Sequence, residues 1–341
     1  MQDLTTPLRY LDGASVVALC ERIDPLEVVT EAFLGVRAGR SGVAPEAALR
    51  WTAPDGTAAR SLILPARHEG AYGCKIINAC IGNLDRGLPR AAGLIMLYDP
   101  ETAVPVCIME GAHISALRTA AVSLAALRAV RPLDTVDRVA LLGCGRQGRT
   151  HLELLASLGA LTSVVAYDLA PERAVAFAEE LRAALPGVEV ETVTEAEKAV
   201  RSAPVTIAAT TTTTSYVPLE WLPEGSVFVN VSLDDAAEDV LLGADHLFVD
   251  DWHLVSEDDT RLLGRLAQAG RATAPGTTST PDARAVDADL ATLLSGGYGR
   301  PIAATDRTVI NPFGMGVHDV ALATRVHETA REAGAGLLLP R

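Results

Sequence analysis

The sequence predicts an α/β protein of two domains. Its 341 residues exceed what one ordinary hydrophobic core accommodates. Up to about residue 110, short strand-like runs follow one another without intervening helices, which is typical of a mixed α+β domain. From residue 138 onward strands and helices alternate, which indicates parallel βαβ units. We therefore expect a mixed α+β domain at residues 1–130, joined by a returning helix at 317–341, and a doubly wound α/β domain at 131–316.

Hydrophobic spacing assigns the elements of the first domain. Apolar residues recur at helical spacing through Asp24–Arg37, so this stretch is predicted to be an amphipathic helix. A second helix, Ile114–Val130, is rich in Ala and Leu and is ended by Pro132. Between the two helices, turn signals separate five strand-like runs, which predict an antiparallel or mixed sheet. These runs are Ala48–Trp51, Ala59–Leu64, Ala71–Ala79, Ala92–Tyr98 and Pro105–Met109.

The second domain is predicted from the change to alternating elements. Its strands are expected at Arg138–Leu142, Leu161–Tyr167, Val188–Val193, Val205–Thr210, Val227–Val231 and His246–Val249. Its helices are expected at Gln147–Leu158, Ala170–Ala184 and Glu195–Ser202, and Val317–Ala333 is the helix that returns to the first domain.

Composition and charge narrow the class of function. The chain has 29 basic and 43 acidic residues, a net charge of −14, so it lacks the electrostatic footprint of a protein that binds nucleic acid or an anionic membrane. Its five cysteines are widely spaced and contain no Cys-x-x-Cys pair, so neither a disulfide framework nor a metal site is suggested. Met1–Tyr10 does not resemble a signal peptide, and no apolar run is long enough to span a membrane. A cytoplasmic location is therefore expected.

A glycine-rich turn joins the first strand and helix of the second domain. The strand Val139–Leu142 leads into Gly143-x-Gly145-x-x-Gly148, and a helix follows at once. Such glycines allow a tight turn and a close backbone approach, while the helix N-terminus presents free N–H groups to a pyrophosphate. Asp168 ends the next strand, twenty residues after Gly148, where a carboxylate accepts hydrogen bonds from the adenosine ribose. The pattern predicts a Rossmann-type NAD-binding domain.

The residues around this turn also bear on the choice of cofactor. Asp168 favours NAD because the 2′-phosphate of NADP would meet its carboxylate. Arg173 lies just beyond and is able to hold a 2′-phosphate, so NADP is disfavoured and not excluded. The run Thr210–Thr214 is interpreted either as a polar turn or as a loop on the adenosine side of the cofactor. The expected cofactor contacts are Arg118, Thr119, Gly143, Gly145, Arg146, Gln147, Gly148, Asp168, Arg173, Thr210, Ser232 and Leu233.

Several cations are candidates for binding a substrate carboxylate. Lys75 lies inside an apolar strand, where an unpaired ammonium is costly. It is either a carboxylate anchor, or a proton donor if burial lowers its pKa, or else a snorkelling or salt-bridged lysine at a strand edge. Arg118 lies near the start of a helix, and a guanidinium binds a carboxylate in a bidentate manner. Arg50 and Arg90 are further candidates, although arginine is common in this chain.

Asp235 is a candidate acid or base. It follows an apolar strand of the second domain, and the carboxyl ends of such strands face the ligand crevice. A carboxylate at this place is able to activate water or to accept a substrate proton. The alternative is a loop acid that caps the next helix.

Taken together, these residues resemble the ornithine cyclodeaminase/μ-crystallin family over almost the whole chain. The family implies homodimers, NAD as the coenzyme, and hydride exchange with the Cα of an amino acid. It further implies that Lys75 and Arg118 hold the substrate carboxylate and that Asp235 is the catalytic acid or base. The resemblance is carried by Lys75 in its strand, Gly87-Leu88-Pro89, residues 97–102, residues 114–121, the glycine turn, Asp235 and residues 311–316.

Within the family, the chain departs from the cyclodeaminases. The run Leu233–Asp239 lacks their Pro-Gly-Lys, and Arg90 stands where they usually have a small hydroxyl residue. It is more similar to the branch of N-(2-amino-2-carboxyethyl)-L-glutamate dehydrogenases, which form 2,3-diaminopropionate for siderophores and related peptides. The similar features are Leu49-Arg50, residues 90–93, Met109-Glu110-Gly111 and residues 249–252.

The resemblance leads to one expected reaction and three alternatives. A substrate with three carboxylates suits the four candidate anchors Arg50, Lys75, Arg90 and Arg118. We expect NAD to oxidise the amine at the Cα of its glutamate part. Asp235, with Lys75 as the second catalytic candidate, is expected to activate the water that hydrolyses the imine to 2-oxoglutarate and 2,3-diaminopropionate. The alternatives are an ornithine or lysine cyclodeaminase, an imine reductase or N-alkyl amino-acid dehydrogenase, and a μ-crystallin-like protein that binds a nucleotide without turnover.

Overall fold

The computed structural model describes residues 7–159 and 161–340, and it divides into two compact units. The first unit contains the described residues up to Arg118 together with those from Met315 onward, and the second is Thr119–Gly314. The division lies inside the helix Ala112–Val130, whose last residue is the boundary placed from the sequence. Residues 1–6 and 341 of the predicted first domain lie outside the described residues.

The helices agree with the predicted ones to within a few residues, and the structure adds several short helices. They are α1 (Gly13–Cys20), α2 (Pro25–Arg37), α3 (Ala112–Val130), α4 (Arg146–Ser157), α5 (Pro171–Ala184), α6 (Ala196–Arg201), α7 (Glu238–Gly243), α8 (Trp252–Glu257), α9 (Leu262–Gln268), α10 (Leu290–Leu294) and α11 (Gly316–Glu332). Short 3-10 helices lie at Ile81–Arg86, Leu133–Thr135 and Leu219–Trp221.

The strands include every run predicted from the sequence and further short ones. They are β1 (Leu8–Leu11), β2 (Gly42–Val43), β3 (Ala47–Thr52), β4 (Ala58–His68), β5 (Ala71–Cys80), β6 (Ala91–Tyr98), β7 (Pro105–Glu110), β8 (Arg138–Leu142), β9 (Ser163–Tyr167), β10 (Glu189–Thr192), β11 (Val205–Ala208), β12 (Val227–Asn230), β13 (His246–Val249), β14 (Ala272–Thr273), β15 (Arg284–Ala285), β16 (Ala288–Asp289), β17 (Thr308–Asn311) and β18 (Leu337–Leu339). The predicted α/β class is therefore confirmed.

The first unit is built on one mixed sheet with α11 on one face. The strand order is β18-β1-β7-β6-β5-β4-β2, and β3 pairs with β4. Helix α11 packs on β4, β5 and β6. At Gly73 of β5 the packing is close, because an added Cβ would lie 2.7 Å from the Met96 carbonyl oxygen and 3.2 Å from Val320 of α11. Lys75 lies two residues further along β5 on the same face.

The opposite face of this sheet exposes large apolar side chains. Ile63, Ile76 and Leu94 lie in register across β4, β5 and β6, and they are 37%, 36% and 42% exposed. Leu49 and Trp51 of β3 extend the patch and are 66% and 46% exposed. We call these five residues the outer apolar face. Contiguous exposed apolar residues of this kind mark an interaction surface.

The second unit contains a parallel sheet whose strand order reverses next to the glycine turn. The order is β10-β9-β8-β11-β12-β17-β13-β16, and all neighbouring strands pair in parallel. From β8 the chain runs outward to β9 and β10, and it then returns to β11 on the other side. In sheets of this kind the ligand crevice lies at the carboxyl ends of the strands where the order reverses. Among the described residues, no helix is long and apolar enough to cross a membrane.

Candidate active site

The glycine turn follows β8, and its three glycines differ in the space around them. An added Cβ at Gly143, whose φ is 95°, would lie 2.7 Å from the Ala209 carbonyl oxygen after β11. At Gly148 an added Cβ would lie 2.7 Å from the Gly143 carbonyl oxygen. At Gly145, the residue before α4, it would meet no atom within 4 Å. Gly143 and Gly148 are therefore required by packing, whereas Gly145 keeps open the space where a pyrophosphate binds at a helix N-terminus.

Asp168 fixes the turn from the end of β9. Its Oδ2 accepts a hydrogen bond from the backbone N–H of Cys144 at 2.9 Å, and its Oδ1 accepts one from Ala170 at 3.0 Å. Each carboxylate oxygen has a second lone pair, so the ribose hydroxyls of a dinucleotide still have acceptors. Arg173 and Arg146 lie exposed in the first turns of α5 and α4. These residues, with the open space at Gly145, fit a dinucleotide.

Asp235 lies in a pocket of hydroxyl groups beyond β12. Its Oδ1 accepts hydrogen bonds from Thr210 Oγ1 at 2.8 Å and from Tyr216 Oη at 3.0 Å, and its Oδ2 accepts one from Ser232 Oγ. The residue is fully buried. Burial raises the pKa of Asp235, although the three hydroxyl donors act to lower it. A carboxylate with a raised pKa is a stronger base than an ordinary aspartate, as proton transfer requires.

The neighbouring aspartate, Asp234, has a structural environment instead. Its Oδ2 accepts a hydrogen bond from Arg261 at 2.7 Å, and its Oδ1 accepts one from the N–H of Leu262. Asp235 does not cap the next helix, because the N-cap of α7 is Ala237. Asp234 and Asp235 therefore have different partners. Before them, Leu233 has a φ of 76°, which turns the chain sharply after Ser232. The loop-cap alternative for Asp235 is therefore not what the structure shows.

In the first unit, Lys75 and Arg118 share one buried carboxylate. Lys75 Nζ donates to Asp319 Oδ2 at 2.6 Å and to Ser115 Oγ at 3.3 Å. Arg118 Nε donates to Asp319 Oδ1 at 3.3 Å. The Lys75 and Asp319 side chains are 1% and 0% exposed, and the Arg118 side chain is 11% exposed. We call Lys75, Arg118 and Asp319 the cation cluster.

In the cation cluster, burial and the attraction between opposite charges shift the pKa values in opposite directions. Burial, together with the charge of Arg118, lowers the pKa of Lys75 to about 8, while Asp319 acts to raise it. Burial acts to raise the pKa of Asp319, but Arg118 and Lys75 outweigh it and hold that pKa below its usual range. Next to Asp319, burial lowers the pKa of His318 to about 3, so this imidazole is neutral near pH 7. The cluster therefore holds two cations and one anion.

A profile of the ornithine cyclodeaminase/μ-crystallin family matches residues 14–334. The chain belongs to this family. The resemblance described from the sequence is thereby confirmed. Among curated proteins, the chain is 28% identical over 255 residues to the N-((2S)-2-amino-2-carboxyethyl)-L-glutamate dehydrogenase of Staphylococcus aureus, with 74% of this chain and 73% of that protein covered.

Two solved structures agree with the family assignment. The crystal structure of CmnK is similar with a TM-score of 0.89 at 36% sequence identity, and 98% of each chain is covered. The Δ1-pyrroline-2-carboxylate reductase of Thermococcus litoralis, in complex with NADH and L-proline, is similar with a TM-score of 0.83 at 23% identity. That comparison covers 97% of this chain and 100% of the reductase, and it supports the fold. The chain is thus an enzyme of the ornithine cyclodeaminase/μ-crystallin family.

The remaining predicted site residues of this family member lie in several places. Arg50 is exposed on β3, directly opposite Arg60 of β4, and the alternation of strands puts both on the sheet face of Lys75. Arg90 is half-buried just before β6, and burial lowers its pKa. Thr119 follows Arg118 in α3. Gln147, in the first turn of α4, has a buried Oε1 without a hydrogen-bond partner among the described residues.

Two parts of the site were missed by sequence reasoning. Asp319 lies 244 residues from Lys75, and its only signal in the sequence is a carboxylate in the mostly apolar start of a helix. Tyr216 lies beyond the threonine run and carries no motif. The run itself forms polar turns, since the N–H of Thr212 donates to Thr210 Oγ1 at 3.1 Å. Among the described residues, no group of three or more His, Cys, Asp or Glu side chains is placed to hold a metal ion.

Proposed function

We propose that this enzyme oxidises N-(2-amino-2-carboxyethyl)-L-glutamate with NAD and hydrolyses the product to 2-oxoglutarate and 2,3-diaminopropionate. At the coarser level it is an NAD-dependent oxidoreductase that acts on substrates derived from amino acids. Hydride leaves the Cα of the glutamate part, an imine forms, and water adds to its carbon. Collapse of the adduct breaks the C–N bond. The balanced reaction consumes NAD⁺ and water and releases NADH and one proton.

The observation that carries this proposal is the cation cluster, with a further arginine on its sheet face. Lys75 and Arg118 are held by Asp319 with a net charge of one positive, which suits one substrate carboxylate. Arg50 lies on the same face and supplies a cation for a second carboxylate. Arg90 is the candidate for the third. A free diamino acid such as ornithine has one carboxylate and needs an acidic partner for its distal amine.

The glycine turn and Asp168 are the residues that would hold NAD. NAD supplies the hydride acceptor when it is bound. Asp168 would bind the adenosine ribose, and the open space at Gly145 would admit the pyrophosphate. Gln147 offers a buried Oε1 in the first turn of α4 that has no hydrogen-bond partner in the described part of the chain.

Asp235 is the proposed base for the water that attacks the imine. Its hydroxyl donors hold the carboxylate in one orientation, and its raised pKa suits the ionised form to accept a proton. Lys75 and Arg118 would orient the substrate by its carboxylate, and positioning of this kind supplies much of the rate of an enzyme reaction. In this proposal Lys75 and Arg118 bind the carboxylate, and Asp235 transfers the proton.

The test is to incubate the purified enzyme with NAD and the glutamate–diaminopropionate conjugate, and to measure NADH and 2-oxoglutarate. We expect the two products in a 1:1 ratio. Ornithine and lysine are run alongside, because a cyclodeaminase would form proline or its homologue and release ammonia without net NADH. Δ1-pyrroline-2-carboxylate with NADH tests the reductase alternative. NAD binding without turnover of any of these compounds would favour a non-catalytic protein and contradict the proposal.

A substitution pair tests the proposed use of the cations. Arg50→Ala should raise the KM of the conjugate at least tenfold, about 1.4 kcal/mol, because one carboxylate loses its partner. Arg40→Ala is the matched control, since Arg40 is also exposed in the first unit but is paired with Glu69. An equal KM for both variants would remove Arg50 from the substrate site.

The proposal includes a homodimer formed through the outer apolar face. Five large apolar side chains on one exposed sheet face favour burial against a second copy. Leu94→Glu places a charge within that face, next to Ile76, so we expect a monomer by light scattering. Leu169→Glu changes an 89% exposed leucine outside this sheet and is the control. A cytoplasmic location and a role in siderophore or peptide biosynthesis remain predictions.

A further inference from the structure

We propose that Asp319 is a positioning residue that makes Lys75 and Arg118 into a receptor for a single carboxylate group. The inference deepens the proposed function, on which its enzymatic consequences rest. Asp319 is not exposed to solvent and reaches both cations through different oxygens, Oδ2 to Lys75 and Oδ1 to Arg118. One side chain of α11 thereby fixes two cations that come from β5 and α3.

The charge balance explains why one anion serves two cations. Two buried cations without a counter-ion would each carry a desolvation penalty of several kcal/mol. Two carboxylates would neutralise the pair completely and leave nothing to attract a substrate. With Asp319 alone, the cluster has a net charge of one positive, and it becomes neutral when one carboxylate binds. A net charge of one positive therefore suits one carboxylate group.

Among the groups around Lys75, Asp319 is the buried carboxylate that stabilises its charged form. From α3 it faces Arg118 and Ser115, and from α11 it faces Asp319 and His318. Glu46, just before β3, also interacts with Lys75 but is exposed, so its effect is weaker. His318 is neutral near pH 7, because burial lowers its pKa to about 3. Asp319 is thus the buried carboxylate that keeps Lys75 protonated.

Removal of this carboxylate should release the proton of Lys75. In Asp319→Asn the ammonium keeps its burial and its repulsion from Arg118 but loses its counter-ion. The protonation midpoint of Lys75 should therefore fall by more than one pH unit. At pH 8.5 the KM of the amine substrate should rise several-fold. At lower pH, where Lys75 is protonated again, this increase should shrink.

The chain offers a direct measurement, because its only lysines are Lys75 and Lys198. Lys198 is exposed and pairs with Glu195, so Lys198→Arg keeps its charge and leaves Lys75 as the sole lysine. With [6-¹³C]lysine incorporated during expression, the Cε resonance reports the protonation of Lys75 by NMR. We expect a midpoint near 8 in the Lys198→Arg protein and a clearly lower one after Asp319→Asn.

Asp287→Asn in the same background is the matched control. Asp287 is also a largely buried carboxylate between two arginines, Arg284 at 2.7 Å and Arg300 at 3.0 Å, but it belongs to the second unit. An unchanged Lys75 midpoint in Asp319→Asn, or an equal fall in Asp287→Asn, would overturn the inference. If Asp319→Asn does not fold, Arg118→Met decides. That variant should raise the midpoint, since Asp319 then serves Lys75 alone, and an unchanged value again refutes the inference.

The NMR result is independent of the substrate. A lowered Lys75 midpoint without turnover of the glutamate–diaminopropionate conjugate would contradict the proposed reaction and leave the role of Asp319 standing. Turnover of the conjugate with an unchanged Lys75 midpoint would support the proposed reaction and contradict the role of Asp319. Adding acetate as a simple carboxylate probe should raise the Lys75 midpoint in the Lys198→Arg protein, and it should do so less after Asp319→Asn.

Discussion

Substitution of Gly145 and Gly148 by alanine should separate ligand binding from stability within one turn. An alanine at residue 145 enters open space, and its backbone, with φ −101° and ψ −171°, is extended and suits any residue. An alanine at residue 148 places its Cβ 2.7 Å from the Gly143 carbonyl oxygen and 2.9 Å from a Leu141 methyl group. The added methyl group therefore enters open space at residue 145, whereas at residue 148 it collides with the packed backbone.

The magnitudes follow from these contacts. Gly148→Ala should destabilise the protein by about 1–3 kcal/mol, as overpacking usually does, and a backbone oxygen cannot move aside cheaply. Gly145→Ala should change stability by less than about 1 kcal/mol, because the lost freedom of the unfolded chain is the main effect. For dinucleotide binding, the methyl group occupies the place of the pyrophosphate. We expect the dissociation constant of NAD to rise at least tenfold, about 1.4 kcal/mol.

Thermal unfolding and NAD titration measure both effects on the same samples. For units of this size, 1 kcal/mol corresponds to a change in melting temperature of about 2–4 °C. Gly145→Ala should melt near the unmodified protein in the absence of NAD and lose the stabilisation that NAD gives. Gly148→Ala should melt several degrees lower with or without NAD. Unchanged NAD affinity in Gly145→Ala would refute the assignment of the open space to the pyrophosphate.

Three further predictions concern other parts of the chain. Asp235→Asn should lower kcat/KM at least about 100-fold while the NAD dissociation constant stays unchanged, and full activity would exclude Asp235 as the base. Tyr216→Phe removes a donor that lowers the pKa of Asp235, so that pKa should rise further. Because the base must be ionised, the acid limb of the kcat/KM–pH profile should then move to higher pH, and a shift to lower pH would contradict the argument. Ala103 has a φ of 57° in an exposed turn, a backbone conformation that is strained for a residue with a Cβ. Ala103→Gly should therefore raise the free energy of unfolding, measured in urea, by about 0.5–1 kcal/mol. A lower free energy of unfolding would show that the alanine backbone is not strained there.

The fold and the glycine turn were predictable because their signals are local. Alternating strands and helices, the three glycines and Asp168 all lie within a short stretch of sequence whose periodicity reflects one face of one element. The strand His246–Val249 has the predicted bounds. The equally short β17, Thr308–Asn311, was not predicted, because only two of its residues, Val309 and Ile310, are apolar, whereas His246–Val249 has three.

The cation cluster and the hydroxyl pocket were only half predictable. Lys75, Arg118 and Asp235 could be named from their places in the predicted strands and helix, and the family resemblance gave them roles. Their partners are distant in sequence and common in residue type. Asp319 meets Lys75 only because α11 packs on β5, and Tyr216 meets Asp235 only through the loop after β11. Contacts made by tertiary packing leave no period and no spacing in the sequence.

The outer apolar face contains a tryptophan, Trp51, whose fluorescence would report the covering of that face. The chain has three tryptophans, and Trp51 is 46% exposed on β3. Indole emission shifts to shorter wavelength when water is removed from around the ring. A change of emission on concentrating the protein would therefore follow the covering of this face without any label. Diluting the sample would reverse that shift, so self-association could be read from fluorescence at concentrations too low for scattering.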